Sequence, residues 1–195
     1  MRRLPLPAFV LAMTTVVAPL WGTPLPAAPP SAALEALSGI DFVPGRVDLV
    51  RLFSGDVAAL VGLANDDADA DPGIRLRAYR SLAEFTNDPI ALAGLRTAVA
   101  RYRTARSGTE LLYLMASLQA LGEVGDAADV TAIAPLLDAG DSRDLRAAAA
   151  RALGQLGAPA ACAPLQSRAG VGLEPQAMVR IAINRALNRL GELCH

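Results

Sequence analysis

Few side chains in this sequence are of the types that carry catalysis, and nothing in their spacing brings them together. The 195 residues include one histidine, His195 at the very end, and two cysteines, Cys162 and Cys194. A Ser–His–Asp triad or a histidine-based zinc site therefore has almost no residues to draw on. The Gly-x-Ser-x-Gly motif of many serine hydrolases is absent as well. We expect no catalytic residues, no cofactor and no enzymatic activity.

Two short motifs resemble ligand-binding loops but lack the context that such loops need. The acidic turn at 66–71 carries four aspartates. An EF-hand loop counted from Asp67 would need glycine where Pro72 stands and glutamate where Ala78 stands. The Gly-x-Gly at 170–172 follows no strand, whereas a phosphate-binding loop joins a strand to a helix. We interpret both motifs as turns between helices and expect no metal site.

The overall charge is nearly balanced, which argues against nucleic acid as the partner. The chain has 18 basic residues, all of them arginine, against 19 acidic residues, for a formal net charge of −1. Domains that bind nucleic acid carry a clear basic excess. Each arginine is nevertheless a possible bidentate donor to a carboxylate.

Residues 1–33 have the organisation of a secretory signal peptide. Arg2-Arg3 give a positive start, the apolar run at 4–21 follows, and small residues lead to a small-x-small cleavage pattern at 31–33. A less fitting pattern ends near Ala28. We expect export to the periplasm or beyond, with the leader removed. The alternative is an uncleaved membrane anchor, because the run is close to spanning length, although prolines interrupt it.

The rest of the chain has the pattern of a repeated amphipathic helix. Apolar or small residues within 145–157 recur at the spacing of one helix face, and the same pattern returns upstream and downstream. Marker leucines stand 36, 35 and 34 residues apart, at Leu82, Leu118, Leu153 and Leu187. A period in that range is typical of stacked helical repeats. We predict an all-α solenoid of about four helical hairpins over 56–195, preceded by a capping segment at 34–55.

An acidic turn, a hydrophobic–Arg pair and an alanine- and leucine-rich helix recur together in three of the repeats. They stand as Asp69 with Ile74-Arg75, Asp141 with Leu145-Arg146, and Glu174 with Val179-Arg180. In these features the sequence resembles HEAT-repeat proteins, and specifically the short HEAT-like repeats named after phycobilisome lyase subunits. The resemblance implies a right-handed α-solenoid in which such acid–Arg pairs form a ladder between repeats. The second repeat departs from it, with Glu110-Leu111 where the pair would stand.

The helix faces opposite the core stripe define a candidate binding strip. On 145–157 these positions are Ala147, Ala150 and Gly154, with Arg151 beside them. In the other repeats the same register gives Leu76, Tyr79, Arg80, Leu112, Met115, Ile181 and Arg185. The resemblance implies that this strip lines the concave side of the solenoid. Our hypothesis is that Tyr79 and Met115 anchor a partner segment while the arginines meet its acidic groups. The alternative is that the stack or a dimer partner buries the apolar members.

These features predict an exported, non-catalytic scaffold or adaptor that binds a partner protein or peptide. Two alternatives stay open. One is an accessory lyase or chaperone subunit like the phycobilisome proteins, against which the export signal argues. The other is a structural element of the envelope, tethered to the membrane by an uncleaved leader.

The two cysteines are candidates for a disulfide. Gly191 ends the last helix as Gly157 ends the preceding one, so Cys194 takes the place that Ala160 has in the repeat before. Neighbouring helices pack about 10 Å apart, which brings the tail close to Cys162. An oxidising compartment favours the bond. The alternative is two unpaired thiols.

Overall fold

The computed structural model describes residues 29–39, 44–66, 69–170 and 172–194, and within these ranges it contains helices and turns but no strand. Most of the predicted leader, residues 1–28, lies outside the described residues. The described part of the chain is therefore all-α, as the periodicity predicted. The ten α-helices of the described part are α1 (Ser31–Ser38), α2 (Arg46–Leu52), α3 (Val57–Asn65), α4 (Pro72–Ser81), α5 (Pro89–Tyr102), α6 (Gly108–Val124), α7 (Val130–Ile133), α8 (Arg143–Leu156), α9 (Cys162–Ala169) and α10 (Ala177–Leu190). Short 3₁₀ turns occupy Leu82–Glu84, Ala127–Asp129, Ala134–Asp138, Pro159–Ala161 and Gly191–Cys194.

Several helices begin where a short polar side chain satisfies the free N–H groups of the first turn. Asp56 accepts a hydrogen bond from the Ala59 N–H, and Ser142 accepts one from the Leu145 N–H. Asp71 and Asp88 each accept from two backbone N–H groups, and each is followed by a proline at the first helical position. Local sequence chemistry thus fixes the starts of α3, α4, α5 and α8.

The helices pack as two parallel rows. Helices α4, α6, α8 and α10, here called the inner row, contact one another in that order. Helices α3, α5, α7 and α9 flank them, and each packs against the inner helix that follows it in the chain. The inner-row helices therefore pack in their chain order, which is compatible with the helical-repeat architecture predicted from the leucine spacing.

The core lies between these rows, and the marker leucines belong to it. Leu82, Leu118 and Leu153 are fully buried. Leu187 is only partly buried, because it lies on α10, the last α-helix of the described part. Full burial of one leucine side chain stabilises a fold by about 1.5–3 kcal/mol, so the even spacing is a packing requirement.

The flank of α8 that faces α10 is lined by small residues, which corrects one expectation. Ala147, Ala150 and Gly154 were predicted to lie opposite the core, but all three are buried. A helix inside a row is covered on both flanks, and α8 contacts both α6 and α10. On α10 the corresponding positions are larger and exposed: Ile181, Asn184 and Asn188.

The N-terminal segment packs against the first inner helix. Ala33 and Leu37 of α1 are fully buried, and Arg77 of α4 donates a hydrogen bond of 2.8 Å to the Leu37 carbonyl. The predicted leader boundary after Ala33 therefore falls inside α1. No helix in the described ranges has both the length and the apolar character needed to cross a bilayer.

A disulfide closes the C-terminal end of the fold. It joins Cys162, at the start of α9, to Cys194 in the last 3₁₀ turn, with the two Cα atoms 5.2 Å apart. The Gln166 side-chain amide also donates a 3.0 Å hydrogen bond to the Cys194 carbonyl. This is the pairing for which the repeat register argued.

Candidate functional site

A groove runs across the inner row, and its wide section lies between α4, α6 and α8. This section encloses about 390 Å³. Its lining combines apolar, amide and arginine side chains, which are Leu76, Arg80, Leu112, Met115, Ala116, Gln119, Ala148, Arg151 and Gln155. Five of the eight residues predicted to bind a partner are among them.

The groove continues between α8 and α10 as a narrow section of about 210 Å³. Arg151 and Gln155 line both sections, so the two are contiguous. The narrow section has a floor of small residues and a rim of arginines: Gly154, Ala182 and Ala186 with Arg185 and Arg189. Arg185 was predicted for the binding strip. Ile181 is exposed, as expected of that strip, but lines neither section.

An alanine stands in the wide section at the position where the neighbouring inner-row helices carry arginine. Two residues before each marker leucine stand Arg80, Ala116, Arg151 and Arg185 in successive repeats. Ala116 is only 3% exposed and lies at the floor of the groove. The wide section is therefore lined by Arg80 of α4 and Arg151 of α8, with no arginine of α6 between them.

The groove carries positive charge without its counterpart. Arg80, Arg151, Arg185 and Arg189 are exposed, and within the described residues none of their side chains makes an ion pair or a hydrogen bond. No carboxylate of the described chain lines either section. Elsewhere the chain does pair its arginines, as with Arg96 and Arg146 below, so the groove is a distinct electrostatic surface. It can accept anionic groups through charge-assisted hydrogen bonds.

Tyr79, predicted as a partner anchor, is instead a core residue. Its side chain is fully buried, its hydroxyl donates to Asn65 Oδ1 at 3.1 Å, and its ring centroid is 5.6 Å from that of Tyr113. Burial, with the neighbouring Tyr102, raises the pKa of the Tyr79 hydroxyl well above its ordinary value. The periodicity placed this position on the outer face, but α3 supplies a buried amide that satisfies its hydroxyl.

The predicted acid–Arg ladder is present at one position, between Arg146 and Glu174. Arg146 Nε lies 2.8 Å from Oε2 of Glu174, and its Nη2 lies 3.0 Å from Oε1. Both side chains are at most 5% exposed. Glu174 precedes α10, so the pair links the third hairpin to the fourth. Asp141, the acid of the same motif as Arg146, is exposed and makes no ion pair within the described part of the chain.

Glu174 is held as a carboxylate by several donors. Burial by itself would raise its pKa, but hydrogen bonds from Arg146, the Gln176 N–H and Arg168 outweigh burial and hold the pKa below its ordinary value. Arg168 also reaches Asp138 of the neighbouring turn at 3.3 Å. The result is an ionic network that links the turn after α7 and the end of α9 to the starts of α8 and α10, with the Arg146–Glu174 pair as its buried part.

Arg75 and Arg180 do not form the predicted rungs. Arg75 donates to the carbonyls at the end of α3, at 3.1 Å to Ala64 and 3.2 Å to Asn65, and its guanidinium lies 4.7 Å from the Tyr113 ring centroid. Arg180 donates to the carbonyls of residues 174 and 175. Asp69 is exposed in the turn before α4. Both arginines thus satisfy backbone oxygens before an inner helix.

Sequence reasoning did not predict the close inter-hairpin ion pairs of Arg96. Arg96 of α5 binds Asp129 through two hydrogen bonds of 2.7 and 2.9 Å, and Asp126 through a third of 2.9 Å. The two aspartates also form a capping box before α7. The Asp-x-x-Asp spacing is a local signal for the capping box. The arginine that pairs with these aspartates lies 30 and 33 residues before them, so no local pattern predicts the ion pairs.

The described residues hold no group of three or more His, Cys, Asp or Glu side chains that could bind a metal ion. No protein-family model matches the sequence, and no curated protein matches it. The groove is therefore interpreted from its own residues and geometry.

Proposed function

We propose that this chain is an exported, non-catalytic interaction protein that binds a segment of a partner protein in the inner-row groove. In this proposal the two rows form a right-handed α-solenoid of about four HEAT-like hairpins, with α1 and α2 as its N-terminal cap. The single observation that carries the proposal is the continuous groove lined by four unpaired arginines and by no carboxylate of the described chain.

Binding would use the exposed apolar and cationic side chains together. Leu112 is 51% exposed on the rim of the wide section, beside the partly buried Leu76 and Met115. Apolar side chains rimmed by arginine are typical of protein-binding surfaces, where arginine is enriched and lysine depleted. The arginines would supply charge-assisted hydrogen bonds. Their positive charge would also increase the association rate with acidic partners.

Export is supported by two features that belong to different parts of the chain. The first is the arginine-led apolar stretch at the N-terminus. The second is the Cys162–Cys194 disulfide, because such bonds persist in oxidising compartments and are rare in the cytosol.

Site-specific photo-crosslinking in living cells tests the proposal. A photoreactive amino acid replaces Leu112 at the groove, and a matched variant carries it at Thr97, which is exposed on the flanking helix α5. We expect a discrete adduct from position 112 and none of that mass from position 97. The double substitution Arg151→Glu, Arg185→Glu should abolish the adduct. Three results would contradict the proposed function. They are the same adduct from both positions, no adduct from either position, and an adduct at position 112 that persists in the Arg151→Glu, Arg185→Glu variant.

A further inference from the structure

Resting on the proposed function, we propose that the wide section is a carboxylate pocket for a partner segment in which an apolar residue adjoins a run of acidic residues. Its apolar residue lies towards α4 and α6, and its acidic residues continue towards α10.

The floor of the pocket is formed by small side chains, and an arginine lies on each side of it. Ala116 and Ala148 form it, and Arg80 and Arg151 stand on either side. Because neither guanidinium has a partner in the described chain, a carboxylate entering here would displace only water. An arginine–carboxylate contact can be bidentate, which fixes orientation as well as charge.

The two remaining walls differ in polarity. Leu76, Leu112 and Met115 form an apolar wall contributed by α4 and α6. Gln119 and Gln155 face the same space with amides that can both donate and accept hydrogen bonds. A segment with an apolar side chain next to a carboxylate matches the first wall, and the amides can satisfy its backbone.

The narrow section is also lined by arginines, but it has no large apolar side chain. Its side chains beyond Arg151 and Gln155 are small or cationic, with Arg185 and Arg189 on the rim. The groove therefore has a direction: an apolar anchor fits only at the α4–α6 end, and further carboxylates fit towards α10.

A nucleic acid fits this groove less well than an acidic peptide does. Binding of a single strand relies on aromatic side chains on which bases stack, and no aromatic residue of the described chain lines either section. The chain as a whole carries a formal net charge of −1, which provides no general attraction for a polyanion.

The test measures fluorescence anisotropy of a labelled synthetic peptide in which one leucine precedes a run of glutamates, titrated with the disulfide-bonded chain at low salt. Control peptides replace the leucine with serine or the glutamates with glutamine, and a labelled oligothymidine serves as the nucleic-acid probe. We expect the leucine–glutamate peptide to bind about tenfold more tightly than either control peptide, the scale of one lost charge-assisted contact.

Two substitutions locate the binding. Gln119→Glu places a carboxylate at an exposed wall position, and Ala116→Arg restores to the second repeat the arginine of the others. Each should weaken peptide binding about tenfold or more, by repulsion or by occupying the pocket. Arg103→Gln, an exposed arginine outside the groove, should leave binding unchanged. Because Ala116 is nearly buried, Gln119→Glu decides the matter if Ala116→Arg does not fold.

Three results would overturn the proposal of a carboxylate pocket. They are a failure of the leucine–glutamate peptide to bind, peptide binding that is unchanged by Gln119→Glu, and tighter binding of oligothymidine than of the peptide. These results are distinguishable from failure of the proposed function. If the adduct at position 112 persists while the peptide fails to bind, the groove still receives a partner and only its assigned chemistry is wrong.

Discussion

Gly154 of α8 and Ala186 of α10 approach so closely that a Cβ atom on Gly154 would lie 2.7 Å from the Cα of Ala186. The obstacle is backbone as well as side chain, so the helices would have to separate. The contact lies directly beneath the narrow section of the groove, which both residues line. The absence of a side chain at Gly154 therefore determines both how closely α8 and α10 pack and the shape of the narrow section.

Gly154→Ala should destabilise the protein although alanine is the better helix former. Overpacking costs about 1–3 kcal/mol, and the backbone contact at 2.7 Å favours the upper part of that range, which exceeds the gain of about 1 kcal/mol in helix propensity. Urea unfolding measures the difference. Gly140→Ala is the matched control, because a Cβ there meets nothing within 4 Å, and we expect it to be neutral or slightly stabilising. Equal stability of the two variants would contradict the interpretation of the α8–α10 contact.

Glu174→Gln should lower the free energy of unfolding by about 3–5 kcal/mol, because it leaves the Arg146 guanidinium buried without its counter-charge. The exposed pair Arg51–Asp48 provides a matched comparison, since Arg51 is largely exposed. Asp48→Asn should cost no more than about 1 kcal/mol. Chemical denaturation of both variants checks the contrast, and similar costs would show that the buried network contributes little.

The same carboxylate predicts an acid-sensitive stability. Because the pKa of Glu174 is lower in the folded chain than in the unfolded chain, its contribution is complete above its ordinary value of about 4.3. The contribution is then lost as the pH falls through the lower, folded-state pKa. The stability difference between wild type and Glu174→Gln should therefore shrink with acidification. A difference that is constant with pH would contradict this assignment.

Loss of the disulfide should weaken the C-terminal end of the fold. The bond closes a separation of 32 residues, and the chain-entropy model gives about 3–4 kcal/mol for a loop of that size. We expect reducing agent to lower the urea midpoint of wild type but not that of the Cys162→Ser, Cys194→Ser variant. A wild-type midpoint that is insensitive to reductant would argue against this contribution.

The leader boundary predicted after Ala33 has a measurable consequence for stability. A chain starting at Leu34 lacks the first turn of α1, including the buried Ala33 and the Pro30 carbonyl that accepts from two N–H groups. Its free energy of unfolding should be lower than that of a chain starting at Pro29 by about 1 kcal/mol. This is about the contribution of one buried methyl group, which is lost together with the first turn of the helix. Thermal unfolding of both forms tests this, and amino-terminal sequencing shows which form the cell makes.

The sequence predicted those parts of the fold that depend on local chemistry. Marker leucines such as Leu118 and Leu153 are buried, and short polar side chains such as Asp56 cap the helices that they precede. Periodicity within one helix identifies which side faces the core, and proline after an aspartate identifies a start. The same periodicity placed Arg80, Arg151 and three other residues of the predicted strip on one register, and these five line the wide section of the groove.

The errors arose where a second helix decides the outcome. Tyr79 lies on the predicted outer register, yet Asn65 of α3 provides a buried partner for its hydroxyl. Ala147 is covered because α8 has neighbours on both flanks. Arg96 and Asp129 are far apart in the chain, so no local pattern announces their ion pair. Helical periodicity describes one element and contains no information on how many others surround it.

The residues at the free flank of α10 also bear on how long such a chain can become. Where α8 offers Ala147, Ala150 and Gly154 to its neighbour, α10 offers the bulkier Ile181, Asn184 and Asn188. A duplicated hairpin inserted after α10 would meet these side chains instead of a smooth alanine–glycine surface. A further helix could therefore approach this flank as closely as α10 approaches α8 only if smaller residues stood at these three positions, so the side chains of one helix flank set the closest spacing of any neighbour.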